Sequence, residues 1–356
     1  MCFRWPESLI AILLAGISLA LSPACAQHNS KPLVRDTPAG IAPASPVLPH
    51  AELTDRFAVL IPELMREHDV PGLGVAVVDR GGILWTQGFG HTDRSHRVSV
   101  TPGTPFSIQS ASKTLTTTAV LLAVQEGVLD LDAPITTYVP EFTVRSRFGG
   151  GASGEMTLRH LLSHTAGLTH EAPVGNNFDP GTASFDEHVR SISRTWLRFP
   201  VGQRYSYSNL GVDLAGYALE RVSGVRFAAY VRDKLLTPLE MTDSTFDSEL
   251  VARWGERAIG HKKGYAHVPL RVPMVPSGGM YASVRDLARF VQFHLNSGHL
   301  GSGAGVNLRS DLLAEMYRIP WPVTGQSEGY ALGIVRHHRN ARLHFTHGGG
   351  GCRGAE

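Results

Sequence analysis

A chain of 356 residues, 42% of them hydrophobic, has enough apolar material for one large domain or two subdomains rather than a string of small modules. Lysine and arginine number 33 against 31 aspartates and glutamates, a formal net charge of +2, so no charge field directs the protein to nucleic acid, a polybasic membrane contact or an acidic partner. The expected partner is a small molecule or a peptide.

Arg4, an apolar run from Leu9 to Leu21 and the small-x-small triplet Ala24-Cys25-Ala26 have the layout of an export signal cleaved before Gln27. The run is short for a membrane span. Residues 1–26 are therefore expected to be a signal peptide, the protein to be periplasmic or secreted, and no strong membrane contact to persist after cleavage. Lipidation at Cys25 fits less well, because Leu21 stands four residues ahead of it, one farther than the lipoprotein pattern. Cys2 and Cys25 would leave with the signal, so Cys352 would find no intramolecular disulfide partner. Residues 27–50, with prolines at 32, 38, 43, 46 and 49, have linker composition, and the folded domain is expected over 51–356.

Leu53, Phe57, Leu60 and Leu64 recur at helical spacing, with Pro62 expected to kink or split the helix. Leu73, Val75 and Val77, the turn-formers Asp79-Arg80-Gly81-Gly82, then Ile83, Trp85 and Phe89 predict a β-hairpin. From Ser110 to Glu126 the pattern is helical, with Leu115, Ala119, Leu122 and Ala123 on one side and Gly127 as the stop. A further helix is predicted from Asn209 to Val222 before Gly224, and Ser283 with Asp286 reads as a capping box opening one that runs to Gly298. Tyr330–Val335 and Arg342–Thr346 read as strands around a turn at Arg339-Asn340. Strands at both ends with helices between them predict an α+β fold whose termini build one antiparallel sheet.

Chemistry concentrates in three places. In "PFSIQSASKTL" only Ser110 stands three residues before Lys113. That spacing on a helix brings side chains within about 5–6 Å, close enough for an amine to meet a hydroxyl. A helix beginning there aims its free amides at the same spot, disfavouring ammonium and stabilising an oxyanion. Taken alone, the pattern favours a capping serine and a solvated lysine over a catalytic pair, so context decides. Ser112-Lys113-Thr114 resembles the tail of a phosphate-binding loop, but the required glycines are missing. The second place is Tyr207-Ser208-Asn209, where a phenol to relay protons and an amide to hold a carbonyl or the lysine can face one cleft. The third is His347-Gly348-Gly349-Gly350, whose glycines let a substrate backbone approach and whose amides can bind an oxyanion.

In this order the three elements resemble the serine β-lactamase and penicillin-binding-protein-like family, in its class C β-lactamase, D-alanyl carboxypeptidase and family VIII esterase branches. "TLRHLLSHTAGLTH", "SGGMYASVRDLARF" and "GYALGIV" look like the same family, and the resemblance covers residues 51–351. It implies a β-lactamase/transpeptidase-like fold and an acyl-enzyme formed on Ser110, with Lys113 as base or proton relay and Tyr207 moving the proton to the leaving atom and activating water. Asn209 would hold the substrate's side chain and orient Lys113. The amides of Ser110 and Gly350 would form an oxyanion hole beside Gly348 and Gly349, and His347 would supply a donor where the family often has lysine. Histidine is mostly neutral at pH 7, so recognition of a β-lactam or D-Ala carboxylate is weakened. Small esters, β-lactams or peptidoglycan-derived peptides are the implied substrates, with no cofactor.

Among the 17 histidines, His160, His164 and His170 have partly suitable metal spacing, but H-E-x-x-H is absent and so is the G-x-S-x-G elbow of α/β-hydrolases. A non-catalytic binding protein on the same fold is the competing reading. The chain ends at Glu356, a few residues past the third motif, so by resemblance the C-terminal strands and helix that complete the sheet would be missing.

Overall fold

The computed structural model describes residues 11–16, 50–95, 97–176, 182–260, 265–266, 270–300, 305–320, 327–340, 342–350 and 353–354. The expected linker, but for His50, lies outside them. In chain order the elements begin with β1 (Ala11–Gly16), α1 (His50–Glu67), β2 (Gly72–Val78), β3 (Ile83–Gly90), β4 (Phe106–Ser107), a 3-10 turn over Gln109–Ala111 and α2 (Ser112–Gln125). Short helices α3 (Ala152–Glu155), α4 (Leu158–Leu162) and α5 (Phe185–Ser191) precede α6 (Asn209–Ser223), α7 (Phe227–Val231), α8 (Ser248–Arg253), β5 (Tyr265–Ala266) and α9 (Val275–Gly278). The chain closes with β6 (Tyr281–Ala282), α10 (Val284–Leu295), α11 (Ser310–Tyr317), β7 (Gly329–Tyr330), β8 (Val335–Arg339), β9 (Arg342–Thr346) and β10 (Arg353–Gly354).

The hairpin forms as its sequence predicts: β2 and β3 pair antiparallel from Gly72↔Gly90, and Asp79 Oδ1 accepts from the amides of Gly81 and Gly82 at 2.7 and 3.0 Å to close the turn. β1, from within the apolar run read as an export signal, pairs with the other edge of β2. The strand β2 reads GLGVAVV because both of its faces are covered. Val75 and Leu73 meet Phe57, Ile61 and Met65 of α1, while Ala76 and Val78 join the main core, toward which α10 packs. The buried ridge of α1 steps by four from Phe57 to Ile61 to Met65, so Leu60 and Leu64, expected inside, are 46% and 42% exposed. Pro62 does not split this helix.

Two other expectations change. Among the described residues the chain ends do not share a sheet: β1-β2-β3 and β7-β8-β9 are separate three-stranded sheets. The predicted strand Tyr330–Val335 is broken after Tyr330, where Gly333 at φ 66° reverses the chain and the Ala331 amide donates to the Ile334 carbonyl. Ser283 caps α10 by accepting from the Asp286 amide, but Asp286 does not return the bond. Its carboxylate instead accepts from Ser244 Oγ and the Asp243 amide, both at 2.8 Å.

The centre of the molecule is α2. Every residue from Ser112 to Ala123 is buried, not one stripe as the spacing implies, because α6, α9 and α11 surround it. Three of its buried threonines bond carbonyls, Thr114 Oγ1 to Gly333 O at 2.8 Å, Thr116 Oγ1 to Pro276 O at 2.6 Å and Thr118 Oγ1 to Thr114 O at 2.9 Å, while Thr117 Oγ1 is left without a partner among the described residues. The pairing of β4 with β6 and the Ile108 amide bond to Met280 O fasten the turn before α2 to the segment after α9.

Close packing of α6 on α9 depends on Gly216, where a Cβ would stand 2.3 Å from Pro276 Cγ. Alanine is the better helix former by about 1 kcal/mol, but overpacking a buried contact costs about 1–3 kcal/mol. With Pro276 Cγ only 2.3 Å from the new Cβ the upper end of that range applies, and Gly216→Ala is expected to lower unfolding free energy by up to about 2 kcal/mol in urea titration. An unchanged or raised midpoint would show that α9 moves freely.

Candidate active site

The three serines of the opening motif have different fates. Ser107 accepts from Gln109 Nε2 at 2.6 Å, and Ser112 is buried and accepts from the Met280 amide at 3.2 Å. Ser110 sits in the 3-10 turn between them, partly exposed. Immediately before it Gln109 has φ 48°, a left-handed conformation uncommon for a residue with a side chain and concentrated at functional turns. This sharp bend carries the chain from β4 into α2.

Lys113, in the first turn of α2, is fully buried. Its Nζ lies 2.8 Å from Asn209 Oδ1, 2.8 Å from the Ser277 carbonyl oxygen and 3.2 Å from Ser110 Oγ. The first two partners can only accept. A neutral amine has two protons and one lone pair, so donating both protons to Asn209 and Ser277 leaves the lone pair for the Ser110 hydroxyl. Burial brings the Lys113 pKa down from 10.5 to about 7, with the charges of Asp213 and Glu171 opposing the fall.

Both fixed acceptors are held in turn. Asn209 opens α6, where Ser208 caps the helix by accepting from the Gly211 amide, and Asn209 Nδ2 donates to Glu171 Oε1 at 2.7 Å. Tyr207 precedes the cap, and its ring lies 4.8 Å from Lys113 Nζ. Burial raises the phenol's pKa, partly offset by a hydrogen bond with Ser110, so the hydroxyl keeps its proton at neutral pH.

Behind Tyr207 stands a wall of rings. His164, at φ 59° and fully buried, packs 4.3 Å from the Tyr207 ring and 4.4 Å from Tyr330, and its Nδ1 accepts from the Ser208 amide at 3.2 Å. Burial, then the Lys113 charge, hold this imidazole neutral. The other histidines weighed as metal ligands have structural partners. His160 completes a capping box with Thr157, and His170 Nδ1 lies 3.0 Å from Glu171.

The third motif follows β9. Gly349 runs so close to the serine turn that a Cβ would meet the Ile108 carbonyl oxygen at 1.9 Å. Gly350 and Ser110 line one small pocket with Gln109, Asn209, Ser277 and Gly278, walled by Val272 and Met274; among the described residues none of these carries a charge. The donor role expected of His347 is not available in this arrangement. Its Nδ1 donates to the Gly348 carbonyl at 2.7 Å, which leaves Nε2 to accept from the Tyr330 hydroxyl at 2.8 Å. Burial takes its pKa to about 4, opposed by the Gly348 carbonyl and assisted by the Lys113 charge.

Residues 57–355 match the Beta-lactamase family, and the chain belongs to that family. It is 27% identical over 240 residues to Protein flp of Staphylococcus aureus (strain COL), covering 65% of this chain and 47% of that protein. The chain thus spans about half the length of these curated relatives. It is 29% identical over 291 residues to Esterase EstB of Burkholderia gladioli, covering 72% of this chain and 74% of that one. Among solved structures, the octameric penicillin-binding protein homologue from Pyrococcus abyssi aligns with a TM-score of 0.65 at 27% identity, over 80% of this chain and 65% of the other.

The structure brings Ser110, Lys113, Tyr207, Asn209 and Gly350 together and turns the His347 ring inward. Sequence reasoning misses Ser277, Glu171 and His164. Ser277 contributes a backbone carbonyl, which no residue type announces, and Glu171 and His164 reach the site only through the fold.

The lysine makes stability pH-dependent. Its folded pKa of about 7 lies below the ordinary 10.5, so between those values the unfolded chain binds more protons and wild-type stability rises with pH. Compared with Lys113→Met, which cannot titrate, the wild type is expected to gain about 3 kcal/mol between pH 7 and pH 10 in parallel denaturant titrations. A constant difference would mean that Lys113 stays charged in the folded protein.

Proposed function

We propose that this protein is a serine hydrolase that acts through an acyl-enzyme on Ser110, with small esters as its preferred substrates. The observation that carries the reading is the bonding of Lys113 Nζ: two obligate acceptors at 2.8 Å and the Ser110 hydroxyl at 3.2 Å. An amine so held, with a pKa of about 7, takes the hydroxyl proton as Ser110 Oγ attacks the carbonyl carbon. The C–O π pair moves to the carbonyl oxygen, which the Ser110 and Gly350 amides receive. Collapse re-forms the carbonyl, breaks the bond to the leaving alkoxide and leaves the acyl group on Ser110. The leaving oxygen takes the proton of Tyr207, whose phenol is protonated at rest, and the Lys113 ammonium returns a proton to the phenolate. Water then enters by the same route in reverse, releasing the acid and free Ser110.

Esters are favoured over β-lactams and D-Ala peptides because those substrates carry a carboxylate that needs a cation. The pocket lining is uncharged and His347 is neutral with both nitrogens engaged. The similarity to Esterase EstB supports the same choice. A penicillin-binding or D-Ala carboxypeptidase role, or binding without turnover, are the alternatives. We place the protein in the periplasm or outside the cell, on the signal-like residues 1–26; among the described residues no helix is long and apolar enough to cross a membrane.

Intact-protein mass spectrometry after mixing with an activated phosphonate is expected to show one adduct, mapping to the Ser110 peptide. Ser110→Ala should lose that adduct and at least about a thousandfold of ester hydrolysis. Labelling retained at another serine would sink the assignment. With wild type, kcat/KM for a p-nitrophenyl acyl ester should exceed that for a cephalosporin, and the reverse order would overturn the substrate preference.

A further inference from the structure

The acyl-transfer steps leave two buried ionisable residues unused. Asp213, one turn beyond Asn209 on α6, and His188 on α5 are both fully buried. His188 Nε2 lies 3.1 Å from Asp213 Oδ2, and His188 Nδ1 lies 2.9 Å from the Val174 carbonyl oxygen. A carboxylate and a carbonyl both accept, so the ring satisfies both only when doubly protonated. The pair is an imidazolium and a carboxylate with no access to water. Burial pulls the His188 pKa down, but the bond to Asp213, its charge and the Val174 and Gly175 carbonyls outweigh it, and the net shift is upward.

The same carboxylate grips the element that holds Lys113. Asp213 Oδ1 accepts from the Ser277 amide and Oδ2 from the Ser277 hydroxyl, both at 2.9 Å. The carbonyl of this clamped residue accepts from Lys113 Nζ. One side chain thus fixes Ser277 at its amide and hydroxyl while its carbonyl faces the amine.

We propose that His188 and Asp213 are a buried charge clamp that positions the Ser277 carbonyl and sets the pH at which Lys113 becomes a base. Asp213 supplies negative charge that favours ammonium, and His188 cancels part of it. Both are positioning residues acting through Lys113, and the inference rests on reading Lys113 as the base toward Ser110. Other groups facing Lys113 are Glu171 through Asn209, the Tyr207 ring, and the neutral His164 and His347. Of these only Glu171 shares the sign of Asp213. On α5 itself, Asp186 bonds Arg190 and Tyr217, and Glu187 bonds Ser184.

The test is the pH dependence of the second-order rate at which the activated phosphonate labels Ser110, read by intact mass on the full chain. The wild-type rate should rise with pH around a midpoint of about 7. Asp213→Asn removes the negative charge bonded directly to Ser277 and with it the partner that keeps the more distant His188 protonated, so its midpoint should move down. His188→Gln keeps a donor to Asp213 and removes the positive charge, so its midpoint should move up. A merely structural pair would lower the rate without moving either midpoint, and midpoints that stay put or move in one direction overturn the clamp. Should Asp213→Asn fail to fold, the direction of the His188→Gln shift decides alone. If wild type is not labelled at Ser110, the hydrolase reading fails and the clamp with it; labelled wild type with unmoved midpoints rejects only the clamp.

Discussion

The burial of one lysine amine governs the rest of the site. An ammonium taken out of water is expensive to keep charged and a bare amine is expensive to leave unbonded. The protein resolves both costs by giving Lys113 two carbonyl-type acceptors, Asn209 Oδ1 and the Ser277 carbonyl, neither of them charged. The two carboxylates in reach act one step back: Glu171 holds Asn209, and Asp213 holds Ser277. A carboxylate in direct contact would lock the lysine as an ammonium. Set one residue away, each orients an acceptor while leaving the amine close to its neutral form.

This arrangement demands that four distant segments meet around α2, and the close approaches are made at glycines. Gly349 lets the segment after β9 lie on the Ile108 carbonyl, Gly333 lets the loop after β7 reach Thr117, and Gly216 lets α9 seat on α6. In each case a methyl group would stand within 2.3 Å of a neighbouring atom. The Ser277 carbonyl can reach Lys113 only because α9 sits that deep. Packing precision and the bonding of Lys113 are therefore the same requirement.

Much of this was legible in the sequence where a side chain and a local rule coincide. The Ser110 and Lys113 spacing, the Tyr207 and Asn209 pair beside a helix cap, and the β2–β3 hairpin are local patterns, and their residues lie where those patterns put them. The rest depends on neighbours. Helix α2 shows an apolar stripe in sequence, yet Thr114 and Thr116 are buried too because carbonyls from Gly333 and Pro276 arrive to accept their protons. On α1 the apolar residues run around more than one face, Leu60 beside Ile61 and Leu64 beside Met65, and only the packing of β2 selects the second of each pair. His347 looks like a substrate donor until Tyr330, seventeen residues earlier, occupies its free nitrogen.

The most direct test of the central claim is the protonation state of Lys113 itself. In protein with isotope-labelled lysine, the ε-carbon chemical shift assigned through Lys113→Met reports ammonium against amine as pH is varied. A midpoint of about 7 is the predicted result. A midpoint near the ordinary lysine value of 10.5 would mean that the buried group is a permanent cation, and the account of Ser110 activation would fall.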